Sequence, residues 1–174
     1  MQQWELKAMQ KRTQYMHKML ANGYIFVSVN ELETYRQVLS KVTFNRLLTA
    51  VLNSETQVAI KPKEHAALFD KLQEYNKQCQ LLSRTAQLND RGIELERYGD
   101  ITAAIQVYEQ NIELGFPAHH AFRRLLVLYR KQKDYANELR VCRRACRVFP
   151  KEQSYKDRYE KVKVLLAKAK ASGK

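Results

Sequence analysis

A 34-residue echo in the second half of the chain constrains its fold more than any other feature. Gly99-Asp100-Ile101 returns as Lys133-Asp134-Tyr135. Aligning on that pair sets Leu88 over Phe122, Leu95 over Tyr129, Ile105 over Leu139 and Tyr108 over Cys142. A period of this length holds one helix–turn–helix unit, which cannot bury its apolar face alone and must stack on a neighbour. The expectation is an all-α protein of tandem antiparallel helical hairpins. A last helix closes the stack: Tyr155, Tyr159, Val162, Leu166 and Ala169 form one apolar stripe, with lysine, arginine and acidic residues elsewhere. One apolar face and one wet face suit an end cap.

The first half reads differently. Trp4, Ala8, Met9, Met16, Met19 and Leu20 predict a helix over about 2–21, stopped by Asn22-Gly23. Aromatic and β-branched residues make 24–29 extended, and a second extended piece covers 56–60. The two could pair as a minor two-stranded ribbon. Between them a helix is expected over 31–53, entered at Asn30 with Glu33 in capping-box spacing. Its apolar set is Leu32, Tyr35, Leu39, Val42, Leu47 and Val51, and Asn53-Ser54 ends it. Pro62 opens a third helix, 62–83, along Leu68, Leu72, Tyr75, Cys79 and Leu82. The expected organisation is an N-terminal helical region, 1–84, then two hairpins and a cap, 85–170, and a flexible tail, 171–174.

Composition narrows the function classes. Hydrophobic residues make up 45% of 174, enough for a core, and five glycines with three prolines favour long helices. No apolar run approaches the roughly 18 residues of a membrane span. The early charges of Gln2-Gln3-Trp4-Glu5-Leu6-Lys7 do not resemble a signal peptide. Three cysteines are too few and odd in number for a disulfide framework, so a cytoplasmic location is expected. The net charge of +13 is uneven. Residues 88–118 carry two basic and six acidic side chains, whereas 119–174 carry seventeen and five. Such asymmetry bears on partners, and points to an acidic one.

The repeats resemble the tetratricopeptide family. Leu88, Gly92, Leu95, Gly99-Asp100, Ala104, Tyr108 and Ile112 match the first motif; Phe122, Leu125, Tyr129, Asp134-Tyr135, Ala145 and Pro150 match the second. The resemblance covers about 85–150. Pro117 comes one residue late, and Leu126 and Glu138 stand at positions the family keeps small. The resemblance implies a protein or peptide partner held in a concave groove. On its geometry the groove is lined by Arg123, Arg124, Val127, Arg130 and Lys131, with Arg158 and Lys161 on the capping helix. Val127 and Ile93 replace the asparagines of the family's carboxylate clamp, so that clamp is not reproduced.

A second stripe, Arg140, Arg143, Arg144 and Arg147, shares one helical arc at i, i+3, i+4 and i+7. Guanidinium groups suit paired hydrogen bonds to phosphate or carboxylate. These four lack nearby acidic residues in the sequence, so the stripe is expected to stand free for an anion or nucleic acid. Cys142 and Cys146 fall on the opposite, apolar arc and read as small core residues rather than metal ligands. His17 and His65 have no visible partner, and His119-His120 reads as a helix start. No phosphate-cradling loop, nucleophile elbow, zinc spacing or carboxylate pair is present. The expectation is therefore a non-catalytic adaptor or scaffold with no cofactor and no metal, docking an acidic protein segment and not a membrane. Nucleic-acid binding through 140–147 and the basic C-terminus is the alternative. Self-association through Trp4 and the Met9, Met16, Met19 stripe is a third reading.

Overall fold

The computed structural model describes residues 2–53 and 57–172, without the side chains of Val51, Leu52 and Asn53. The expected contribution of Val51, the stop at Asn53-Ser54 and the end of the tail lie outside these residues. Eight helices and one two-stranded sheet make up the described chain. In order they are α1 (Gln3–Ala21), β1 (Ile25–Ser28), α2 (Val29–Thr34), α3 (Lys41–Asn53), β2 (Gln57–Ile60), α4 (Pro62–Arg97), α5 (Ile101–Glu113), α6 (His119–Lys131), α7 (Tyr135–Val148) and α8 (Gln153–Ala171). This is an all-α protein with a minor ribbon. It divides into two compact units, Met1–Gln78 and Cys79–Lys174.

In the first unit the ribbon is antiparallel, with Ile25 opposite Ile60 and Val27 opposite Val58. Val27, Leu32, Phe44 and Ile60 form its core. The single helix expected over 31–53 is two. Ser28, not Asn30, caps α2 by accepting from Glu31 N at 3.2 Å. Ser40 then accepts from Thr43 N at 3.2 Å, starting α3 anew. Serine side chains compete for backbone donors in this way and favour helix starts over interiors. The break resets the helical phase, so Phe44 goes inside while Val42, expected inward, is 80% exposed. His65 has partners that its sequence neighbourhood did not reveal: Glu31 Oε1 lies at 3.1 Å and the Tyr35 hydroxyl at 3.3 Å from its Nε2.

The helix expected to end at residue 83 continues to Arg97. Nothing between Pro62 and Gly92 breaks it, since no glycine or proline intervenes. In the second unit, α4 and α5 run antiparallel. Tyr108 reaches Glu96, while Asn111, one turn further along α5, reaches back to the Thr85 carbonyl at 3.0 Å. The turns at the two echoed sites repeat bond for bond. Asp100 N donates to Leu95 O and Asp134 N to Tyr129 O, each at 2.9 Å. The Asp100 and Asp134 side chains then cap the next helices, accepting from Ala103 N and Asn137 N at 3.0 Å. Gly99 and Lys133 both take positive φ, 83° and 58°. That left-handed conformation ends a helix and favours glycine.

The two departures at small positions have structural reasons. Gly92 lies directly under the ring of Tyr108, and a Cβ there would meet ring carbons at 2.4 and 2.5 Å. One repeat later the sizes are exchanged: Leu126 replaces Gly92 and Cys142 replaces Tyr108, and both are buried. Close packing is kept by trading volume across the pair. Glu138, at the equivalent of Ala104, is buried as a charged group and is answered by arginines described below.

Candidate functional site

The basic residues of α6 and α8 are positioned from beneath by carboxylates. Glu138 of α7 has a side chain with no exposed surface. Its Oε2 accepts from Arg130 Nε at 2.6 Å, and its Oε1 from Arg158 Nε at 2.9 Å. Arg158 also donates to the Leu126 carbonyl at 2.6 Å. A buried carboxylate is strongly destabilising unless paired and hydrogen-bonded. Two guanidinium groups supply that here, and in turn they lose freedom to move. Arg124 is anchored likewise, its Nε donating to Glu96 Oε1 at 2.9 Å and its Nη2 to Glu96 Oε2. The Tyr108 hydroxyl donates to the same Oε1 at 2.9 Å. The Arg124 hydrogen bond holds the Glu96 carboxyl below its ordinary range, against the opposing effect of burial. Burial first, then the Glu96 carboxylate, push the Tyr108 hydroxyl well up.

Arg130, Arg158 and Lys161 converge on one open depression of about 490 Å³, whose remaining lining is Ser154 and Asp157. Arg123, Arg124, Val127 and Lys131, expected with them, do not line it. Arg123, Lys131 and Lys161 are exposed and make no salt bridge among the described residues. Val127 is half-buried. Ser154 and Asp157, in the first two turns of α8, were missed by sequence reasoning, because the family pattern was read for its basic positions alone.

The arginine stripe on α7 is not free as expected. Arg140 donates from Nη2 to Glu109 Oε1 at 2.5 Å. Arg144 pairs with Glu113 and donates from Nη2 to the Ile112 carbonyl at 2.7 Å. Glu109 also accepts from the Tyr129 hydroxyl at 2.8 Å; burial, then this carboxylate, push that hydroxyl up to about 12. The physical reason is register: Glu109 and Glu113 are one turn apart on α5, as Arg140 and Arg144 are on α7. Only Arg143 and Arg147 of the stripe are exposed without a salt bridge among the described residues. A spacing of 31 residues, from 109 to 140 and from 113 to 144, was the signal in the sequence.

Cys142 is fully buried, and desolvation pushes its thiol up to about 12; Cys146 beside it is half-buried. Both sit with the core, as their helical arc implies. His119 stacks on Phe149 with ring centroids 3.9 Å apart, and its Nδ1 lies 3.0 Å from the Tyr155 hydroxyl. It fastens the start of α6 to α8.

Fold and site together define an all-α protein of stacked helical hairpins that presents a basic depression held in place by a buried carboxylate. No family model, curated protein or solved structure matches the chain. No helix among the described residues is long and apolar enough to cross a membrane.

Proposed function

We propose that this chain is a non-catalytic adaptor of the tetratricopeptide kind that docks an acidic segment of another protein, in the cytoplasm. The observation that carries the reading is the depression lined by Arg130, Arg158 and Lys161 with Ser154 and a single exposed carboxylate, Asp157. Glu138 occupies part of each guanidinium, leaving the other N–H groups of Arg130 for a ligand, while Lys161, in no salt bridge among the described residues, adds a third cation to the lining. Groups already fixed lose little entropy on binding, so a carboxylate met here gains more than at mobile surface arginines. Arg123 and Lys131, exposed on α6, extend the same positive face.

Nucleic acid is the weaker reading. Two of the four stripe arginines are neutralised within the chain, and affinity for phosphate backbones scales with the number of cations free to displace counterions.

The test is fluorescence anisotropy with a labelled glutamate-rich peptide and, separately, a generic single-stranded oligonucleotide. Lys161→Glu should weaken peptide binding about tenfold, a change of about 1.4 kcal/mol, and added salt should weaken it further. Lys161 is exposed and makes no salt bridge among the described residues, so its reversal breaks no internal ion pair there. Peptide binding indifferent to Lys161→Glu, or an oligonucleotide bound more tightly than the peptide, would refute the reading.

A further inference from the structure

The basic depression holds more open donors than a carboxylate can use. Glu138 and the Leu126 carbonyl occupy Nε and Nη2 of Arg158, which leaves its Nη1. Glu138 occupies only Nε of Arg130, so both Nη groups of that residue are left. Lys161, three residues beyond Arg158 on α8, adds an exposed ammonium with no salt bridge among the described residues. The other polar groups of the lining are already engaged. Ser154 Oγ donates to Glu152 Oε1 at 2.8 Å, and Asp157 Oδ1 accepts from Gln153 Nε2 at 2.8 Å. Three separate cationic heads, from α6 and α8, therefore line one depression of about 490 Å³.

We propose that this depression binds a phosphate monoester, carried as phosphoserine or phosphothreonine on the docked protein segment. The inference rests on the reading of the site as a dock for an acidic segment, and names the group that fills it. A carboxylate offers two oxygens in one plane and a single charge. A phosphate monoester offers three free oxygens and a charge of about −1.5 to −2 at pH 7. Each oxygen can then meet a different head: the Arg130 fork, Arg158 Nη1 and Lys161 Nζ. A phosphodiester of a nucleic-acid backbone has only two free oxygens and one charge, so like a carboxylate it leaves a head unused.

Charge points the same way. The three cations outnumber the two carboxylates of the site, Glu138 beneath and Asp157 at the edge, so the lining is net positive. In a positive field the Coulomb gain grows in proportion to ligand charge, so a near-dianion gains about twice what a carboxylate gains. Glu138 also fixes Arg130 and Arg158 before any ligand arrives, and donors already held in place suit the planar-fork recognition that guanidinium gives phosphate.

The experiment is fluorescence anisotropy of the full chain with three labelled peptides of one glutamate-rich sequence. They differ only at a central position, which is serine, phosphoserine or glutamate. The phosphoserine peptide should bind about tenfold more tightly than the glutamate peptide. Lys161→Gln removes one head, leaves both Glu138 pairs in place, and should abolish most of that advantage with helicity by circular dichroism unchanged. Lys156→Gln, an exposed lysine of α8 outside the lining, should leave the advantage intact. Inorganic phosphate should compete only far above the concentration at which unlabelled phosphoserine peptide does. Phosphoserine and glutamate peptides bound equally, and both weakened by Lys161→Gln, would overturn the phosphate assignment and leave the acidic dock standing. Failure of all three peptides to bind overturns both. A phosphoserine advantage that survives Lys161→Gln, or is lost equally in Lys156→Gln, places the phosphate elsewhere and refutes the inference. Inorganic phosphate competing as well as the peptide, or an oligonucleotide bound more tightly, refutes it too.

Discussion

Replacing Gly92 by alanine tests whether volume exchange between repeats fixes the packing of the second unit. Judged by helix preference alone, the change is stabilising by about 0.8–1.0 kcal/mol, since glycine is the poorer helix former. The structure argues the reverse. The new methyl would lie 2.4, 2.5 and 2.9 Å from three ring carbons of Tyr108. Carbon atoms in contact sit about 3.5–4.0 Å apart, so the ring must retreat by about 1 Å. It has little room, because Tyr108 is fully buried and its hydroxyl is tied to Glu96, itself held by Arg124. Overpacking of this kind costs about 1–3 kcal/mol, and loosening the hydroxyl bond adds about 1 kcal/mol. The net expectation is a loss of about 2 kcal/mol. Cys142 offers a local reporter, because it is buried in the same unit and becomes alkylated only when that unit opens. Alkylation read by mass spectrometry along a urea gradient should therefore shift to lower denaturant in the variant. In a Tyr108→Leu background, where the obstructing ring is gone, Gly92→Ala should become stabilising, because contacting residues couple. A higher midpoint for Gly92→Ala in the otherwise unchanged chain would refute the argument.

Lys133 holds a left-handed backbone conformation with φ 58°, which costs a side-chain-bearing residue about 1–2 kcal/mol. Lys133→Gly should raise stability by about 1 kcal/mol in the same alkylation assay, less whatever flexibility the unfolded chain gains. The Glu96 carboxyl is held below its ordinary value of 4.5, chiefly by Arg124. The unfolded chain therefore takes up this proton first as the solution is acidified. The stabilisation is complete above pH 4.5 and fades as pH falls through the lower, folded value. Glu96→Gln should accordingly flatten the acid limb of stability measured from pH 7 downward, and an unchanged slope would show that the Arg124 pair contributes nothing.

The hairpins of 85–150 were legible because their signals are local and duplicated. Asp100 and Asp134 cap helices within three residues of themselves, and Gly99 and Lys133 turn the chain at matching places. Such choices are dictated by backbone hydrogen bonding over one turn, which a sequence displays directly. The ribbon was legible for the same reason. The break between α2 and α3 was not, since Ser40 caps a helix only once Phe44, rather than Val42, is the residue turned inward.

The candidate site was legible only as a set of helix faces. Arg123, Arg124, Arg130, Lys131, Arg158 and Lys161 were identified by position, yet three of the six are tied to Glu96 or Glu138. The uneven charge along the chain, acidic over 88–118 and basic beyond, is in part the trace of this internal pairing between successive helices. The sequence by itself determined the repeat, the helices that follow Gly99 and which of their arcs are apolar, because those follow from periodicity within a turn or two. Which arginines stand free, and how Leu126 fits beside Cys142, were decided only by the tertiary structure. Coulomb and packing forces act over a few ångströms in space, and here those ångströms join residues 8 to 32 positions apart.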